Sequence, residues 1–293
     1  MKLFVDAPAK INLDLRILGR REDGFHELDT ILQSIDLADT VSIRCRRGPF
    51  SVRSRSRGVP RDASNLIWQA AYRLWQRIGR QGEPRDVSID LKKKIPIAAG
   101  FGGASSNVAS ALRGLSGIWA PDMSTEVLRN IGAFVGSDVP FFFRGGTVLA
   151  TGRGECLRSL RSLKSFWLVL VVPPFGVSTP NAYRWWDCDS VKPAIFQRSR
   201  GWRRDFSCLR NDLQHVVTQR YPELGMTIER LSQAGAIYAA MTGSGSAAFG
   251  LFHERSDALI ARKSAKNPGW QTFINRTIGR DEFARRTAVI IRD

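Results

Sequence analysis

The residues of this chain best suited to chemistry lie in the run Pro96-Ile97-Ala98-Ala99-Gly100-Phe101-Gly102-Gly103-Ala104-Ser105-Ser106-Asn107, where glycines crowd into a turn just before a helical pattern. Glycine lets a backbone approach an anion closely and aim successive N–H groups at it. A helix that starts there adds its unpaired N–H groups and its positive dipole end. Val108, Ala111, Leu112 and Leu115 keep the i, i+3, i+4, i+7 spacing of a one-sided helix, with Ser105 or Ser106 as the expected cap. No Gly-Lys-Ser/Thr follows, so the loop is not a Walker A motif. On its own it reads either as a seat for phosphate or as a tight turn with an ordinary cap.

A second glycine segment, Gly243-Ser244-Gly245-Ser246-Ala247-Ala248, formally fits the dinucleotide fingerprint. That fingerprint needs a following helix and an acid about 20 residues on, and neither is present. The segment is therefore a hairpin turn or a second backbone clamp facing the first loop. Near the start, Ala7-Pro8-Ala9-Lys10-Ile11-Asn12-Leu13 puts Lys10 and Asn12 two residues apart on one strand face, expected to point outward as solvated surface. The loop after it brings Phe25 and His26 beside Gly24.

Elements that could position these groups are visible in the periodicity. Ile11, Leu13, Leu15 and Ile17 alternate with polar residues as a half-buried strand, and short alternating runs recur at 41–44, 50–53 and 87–91. Leu66 to Ile78 has helical spacing behind a cap expected at Ser64. A helix is expected over about Thr125 to Phe134, ending at Gly136, and then an irregular corner Ser137-Asp138-Val139-Pro140. The pattern restarts with a strand over Trp167 to Val172, a helix start at Thr179-Pro180 and a helix over Pro222 to Gln233. Two strands flank the second glycine turn, and closing strands are expected at 270–274 and 288–291. The organisation is α+β, with a domain boundary expected near residue 160, giving units 1–160 and 161–293.

Composition narrows the class. The chain has 293 residues and 43% hydrophobic content, enough for real cores, and no apolar run reaches the roughly 18 residues of a membrane helix. Its N-terminus lacks a long apolar region, so a cytoplasmic protein is expected. Cys45, Cys156, Cys188 and Cys208 are widely spaced with no metal-ligand pattern, which leaves reduced thiols as the default and no zinc site. The formal charge of +17 fits a nucleic-acid binder or an enzyme of polyanionic small molecules. Arginines are scattered outside the dense stretch Arg44 to Arg57, and no RNA-binding aromatic signature is present, so small polyanions are the expected partners.

Taken together, Ala7 to Leu13, Asp23-Gly24-Phe25-His26-Glu27-Leu28, Pro96 to Asn107, Gly152-Arg153-Gly154-Glu155, Asn211-Asp212-Leu213 and Met241 to Ser246 resemble, in order and spacing, the motifs of the GHMP small-molecule kinases. The resemblance is to the branch that acts on a cytidine-diphosphate-linked methylerythritol in isoprenoid precursor synthesis. It implies a two-domain GHMP kinase fold: an N-terminal ribosomal-protein-S5-domain-2-like nucleotide domain and a C-terminal ferredoxin-like layered domain. It further implies transfer of the γ-phosphoryl of ATP to the 2-hydroxyl of that polyol, with Mg2+ expected, no membrane or nucleic-acid partner, and a monomer or weak dimer.

Carried over by motif, Lys10 and Asp138 are the catalytic pair. Asn65, Lys93, Pro96, Ala98, Ala99, Gly100, Phe101, Gly102, Gly103, Ala104, Ser105 and Ser106 are the ATP-binding positions, with Ser105 or Ser106 near the metal. Asn12, Phe25, His26, Asp138, Tyr183, Gly243 and Ser244 are the positions on the second substrate, with Phe25 and Tyr183 sandwiching the base. Three residues depart from the pattern: Phe25 where tyrosine is usual, Phe101 where leucine is common, and Ala104 where a third glycine is common. The extra methyl of Ala104 is expected to crowd the phosphate or shift the backbone, and the lost hydroxyl at Phe25 to lower affinity modestly. The competing readings are a related kinase for a homoserine- or mevalonate-like alcohol, and a basic RNA-binding protein.

Overall fold

The alternating residues of the first twenty positions build one long strand, β1 (Lys2–Arg20), antiparallel along its length to β2 (His26–Pro49). The structure is a computed structural model and describes residues 2–190 and 201–292. Further strands β3 (Ser51–Ser54), β4 (Arg85–Lys92), β5 (Thr147–Gly152) and β6 (Cys156–Ser159) extend this sheet. Helices α1 (Leu66–Arg77), α2 (Gly103–Trp119), α3 (Thr125–Val135) and α4 (Phe141–Arg144) supply the apolar partners. Val108, Leu112 and Leu115 of α2 share one core with Val41 and Ile43 of β2, as their spacing requires.

A second, four-stranded antiparallel sheet runs in the order β10 (Gln271–Arg276), β7 (Trp167–Val172), β9 (Ala248–Phe252), β8 (Tyr238–Met241). Helices α5 (Thr179–Cys188), α6 (Gln214–Arg220) and α7 (Pro222–Gln233) lie in the chain between β7 and β8, and α8 (Arg255–Ser264) between β9 and β10. The resulting β-α-β-β-α-β succession is the ferredoxin-like layered unit that was expected.

β1 serves both cores, its odd-numbered side chains packing under the helices near its start and against the second sheet further along. Leu3 and Ala7 belong to the core under α1–α3, whereas Ala9, Ile11 and Leu13, beyond the shift between Pro8 and Lys10, pack with Leu168, Leu170 and Phe249 of the second sheet. Across that shift β1 advances two residues while β2 advances four, from Ala38 to Ser34, so the extra residues lie in β2 and bend the pair. Lys10 and Asn12 lie on the opposite face of β1, turned inward beside the start of α2, at 4% and 5% exposure. The expectation that they are solvated fails because both faces of β1 are covered.

Two caps also differ from expectation. Asn65, not Ser64, starts α1, its side chain accepting from Ile67 N at 2.9 Å. Gly102 in the left-handed region starts α2, which leaves Ser105 and Ser106 inside the first turn.

The last residues leave the unit 161–293 and return to the first sheet. β11 (Ile290–Arg292) pairs with Lys2 to Phe4, and the preceding α9 (Arg280–Arg286) presses Phe283 against Gly145. A Cβ on Gly145 would lie 2.1 Å from the Phe283 ring, so the contact is closed without slack. Phe283→Ala is expected to lower stability by about 3–5 kcal/mol, read as an earlier urea midpoint; an unchanged midpoint would show that the tail is not part of the first core.

Candidate active site

The glycine loop is held on β1 by a backbone bond from Lys10 N to Phe101 O of 3.0 Å. Gly100 lies at φ +85° with room for no side chain, since a Cβ there would come within 2.3 Å of Thr242 O. The second glycine turn therefore packs directly against the first. At Gly102, φ +68°, a Cβ would come within 2.9 Å of the Phe142 ring and 3.1 Å of Lys10 Cε. Phe101 is buried in the core between the sheets and anchors the loop from behind. Ala104 also does no harm, because it is exposed in the first turn of α2 and its φ is not positive. Within the loop the strained non-glycine residue is Ala98, at φ +56°.

At the foot of the loop Lys10 Nζ stands 3.5 Å from Asp138 Oδ2 and donates to Asn12 Oδ1 at 2.6 Å. Asn12 Nδ2 donates in turn to Thr30 Oγ1 at 2.9 Å, and Asn12 N donates to Thr242 Oγ1 at 3.0 Å. The Asn12 amide is thus spent on aiming the ammonium. Asp138, on the corner between α3 and α4, is more open, with its side chain 37% exposed. Of the two serines, Ser106 turns away to bond Pro8 O at 2.7 Å, and Ser105 stays half-buried at the cleft.

Beneath the first turn of α2 lies a network built on Asp39, which sequence reasoning missed. Its fully buried carboxylate accepts from Lys94 N, Ile95 N, Asn107 Nδ2 and the Lys93 ammonium. Lys93 also donates to Asn107 Oδ1 at 3.0 Å. The heads of Lys93 and Asn65 are therefore occupied by the protein itself, Asn65 capping α1 and donating to Pro60 O. A lone aspartate in a strand carries no pattern that points to partners 54 residues away.

The far end of the cleft is aromatic. Phe25 is half exposed under the Arg153 guanidinium at 4.8 Å, and Tyr183 stacks on His26 with ring centres 4.7 Å apart. Asp187, also missed, places Oδ1 2.7 Å from His26 Nε2. Burial pushes the Tyr183 hydroxyl pKa upward, and the nearby Asp138 carboxylate adds to the rise. Ser244 and Thr179 share a hydrogen bond of 2.8 Å, and Asn211 Nδ2 ties down Met241 O and Gly243 O. Every residue selected from the sequence except Ser106 lines this one cleft of about 1160 Å³.

Two family models match the chain: GHMP kinases N terminal domain over residues 65–146, and GHMP kinases C terminal over residues 192–269. A relative from Bacillus pumilus (strain SAFR-032), named 4-diphosphocytidyl-2-C-methyl-D-erythritol kinase, is 39% identical over 95% of this chain and 98% of its own. The chain belongs to the 4-diphosphocytidyl-2-C-methyl-D-erythritol kinase family. A crystal structure of a 4-(cytidine 5'-diphospho)-2C-methyl-D-erythritol kinase superposes with a TM-score of 0.78 at 30% identity, covering 94% of this chain and 99% of that one. A homoserine kinase from Cytophaga hutchinsonii reaches a TM-score of 0.72 over 95% of both chains at 17% identity, which is likeness of fold alone.

This GHMP kinase has no helix, among the described residues, long and apolar enough to cross a membrane. Asp39→Ala in it would leave a buried ammonium and two backbone N–H groups without their acceptor. The expected cost is about 3–5 kcal/mol, measurable by urea unfolding; a loss below 1 kcal/mol would mean the network is solvated.

Proposed function

We propose that this kinase moves the γ-phosphoryl group of ATP to the 2-hydroxyl of 4-diphosphocytidyl-2-C-methyl-D-erythritol, using Lys10 and Asp138. The observation that carries the reading is the Lys10–Asp138 pair, 3.5 Å apart where the glycine loop meets β1, with an aromatic pocket holding a histidine at the other end of the same cleft. Phosphoryl transfer needs positioning, charge neutralisation and a proton acceptor. Asp138 takes the proton of the 2-hydroxyl as its oxygen bonds the γ-phosphorus, the bond to the β–γ bridging oxygen breaks, and ADP leaves. Lys10 offsets the charge that develops on the moving group.

Backbone N–H groups from Gly100 to Ser105, with the positive end of α2, suit the β- and γ-phosphates. Pro96, Ala98 and Ala99 shape the wall beside them. Ser105 is the hydroxyl available to a magnesium ion, which when bound would neutralise phosphate oxygens. Ser106 has no such role, because its hydroxyl is committed to Pro8. Asn65 and Lys93 serve the nucleoside end by fixing the helix starts around it rather than through free polar heads. Phe25, His26 and Tyr183 form the base end, and Gly243 and Ser244 close the cleft from the second sheet. In this arrangement the first sheet with its returning tail carries the phosphates, and the ferredoxin-like unit completes the acceptor side.

The aromatic end is what favours this substrate over a homoserine- or mevalonate-like alcohol, which offers no base to stack. The reading includes a cytoplasmic enzyme, monomeric or weakly dimeric, whose positive charge meets two polyanionic substrates. A coupled assay with the purified protein tests it. Asp138→Asn and Lys10→Met are each expected to lower kcat by about 10²–10⁴-fold while the fold persists. Chelation of magnesium is expected to stop turnover and its return to restore it. Phosphorylation of homoserine or mevalonate in place of the cytidyl substrate would refute the assignment.

A further inference from the structure

The corner that carries Asp138 runs straight into the single turn of α4: Phe141 N donates to Asp138 O at 3.2 Å and Phe142 N to Val139 O at 3.1 Å. A helix of this length has no stability of its own and takes its place from what it packs against. On one side Val139 fills a notch at Gly132 of α3, where a Cβ would come within 2.4 Å of Val139 Cγ1. On the other side the anchor is Arg113, about three turns into α2. Its Nη2 donates to Phe142 O at 2.8 Å, and its guanidinium lies 4.8 Å over the Phe143 ring. The Phe142 ring meanwhile presses on Gly102, which starts the same helix. α4 is therefore fixed at two points along α2, and the nearer one is the glycine loop.

Arg113 is a cation placed where packing alone does not call for one. It makes no ion pair among the described residues, and burial pushes its pKa down to about 10. A buried charge without an acid beside it costs stability, and an unbranched apolar side chain would fill the same space. What the guanidinium adds is direction, a rigid fork aimed at one carbonyl. Arg113 is not among the residues that line the cleft, so it meets the chemistry only through α4. We propose that Arg113 is a positioning residue for phosphoryl transfer: by holding Phe142 O, it sets Asp138 against Lys10 and the glycine loop from the very helix whose start receives the phosphates. The inference rests on the reading of Asp138 as proton acceptor and goes beyond it in naming what places that acceptor.

A double-mutant cycle tests it. Steady-state rates with ATP and the cytidyl substrate are measured for wild type, Arg113→Met, Asp138→Asn and the double variant, with urea midpoints alongside. Arg113→Met is expected to lower kcat by about tenfold while the KM of each substrate stays within about twofold, since a misplaced base slows the chemical step and leaves binding intact. Its urea midpoint is expected to shift little, because relief of the unpaired charge offsets the carbonyl left without its donor. In the Asp138→Asn background the same change is expected to cost less than about twofold, there being no carboxylate left to misplace. Arg113→Lys keeps a charge and a donor and is expected to recover part of the rate; it carries the same comparison between backgrounds if the methionine variant does not fold. An unchanged kcat, a loss confined to KM, or the same factor in both backgrounds overturns the proposal. Failure of the underlying reading has a different signature: Asp138→Asn then matches the wild-type rate, or the wild type itself leaves the cytidyl substrate untouched, and the inference falls with it.

Discussion

A buried ammonium is the constraint around which this molecule is arranged. Lys10 has lost nearly all its water, and a charge taken out of water is tolerated only with close, well-placed partners. Asn12 supplies an oxygen at 2.6 Å and Asp138 a carboxylate at 3.5 Å. Each partner then needs a position of its own. Asn12 is tied through Thr30, whose hydroxyl donates to Asp14 O at 2.6 Å, and Asp138 sits on a corner that only α3 and α4 together can present. The strand bulge before Lys10, the left-handed Gly102 against its side chain and the backbone bond to Phe101 are separate features of the sequence that serve one placement. Asp138 keeps over a third of its side-chain surface open, which leaves room for a reacting group beside an otherwise closed pair.

The same demand explains why the two sheets act as one body at the cleft. Gly100 touches Thr242 across the divide, and Asn211 fastens the carbonyls on either side of Thr242 with a single amide. Behind that contact, Leu15 exchanges backbone bonds with Arg210 and Asp212, Asp14 accepts from Arg16 and from Arg210 N, and Asp212 Oδ2 accepts from Ile17 N. Every carboxylate in this seam has a cation or backbone N–H beside it, as burial at such depth requires. Burial still pushes the Asp212 carboxyl pKa upward against the pull of Ile17 N and Arg210. The seam fixes the distance between the two glycine turns, and this distance sets the width of the cleft.

Much of this was legible in the residues, and the parts that were not share a cause. Trp167–Val172 and Pro222–Gln233 fall at the expected bounds because a local apolar period defines them. Alternation in β1 reveals two faces but not that both are covered, so the motif marks Lys10 as catalytic while its burial stays hidden. α4, β6 and α9 are short and owe their form to what they pack against, as Phe283 does in the Gly145 cradle. Asp39 and Asp187 were silent for a related reason. An isolated acid has no period, and its meaning comes from a lysine or histidine that only the fold brings near. Phe101 and Ala104 depart from the motif without disturbing the glycine loop, because one lies in the core and the other on a helix.

The two ends of the cleft also differ in how they hold charge and identity. At the glycine loop the cavity wall is mostly glycine and alanine, and a backbone N–H cannot lose a proton or rotate away and presents the same donor to any anion. Such a surface is strong but indifferent to what the phosphate is attached to. At the other end the groups are Phe25, His26 and Tyr183, and a ring nitrogen that either donates or accepts can tell one base edge from another. The cleft thus pairs a wall of small residues fastened to β1 at one end with aromatic side chains held by α5 at the other.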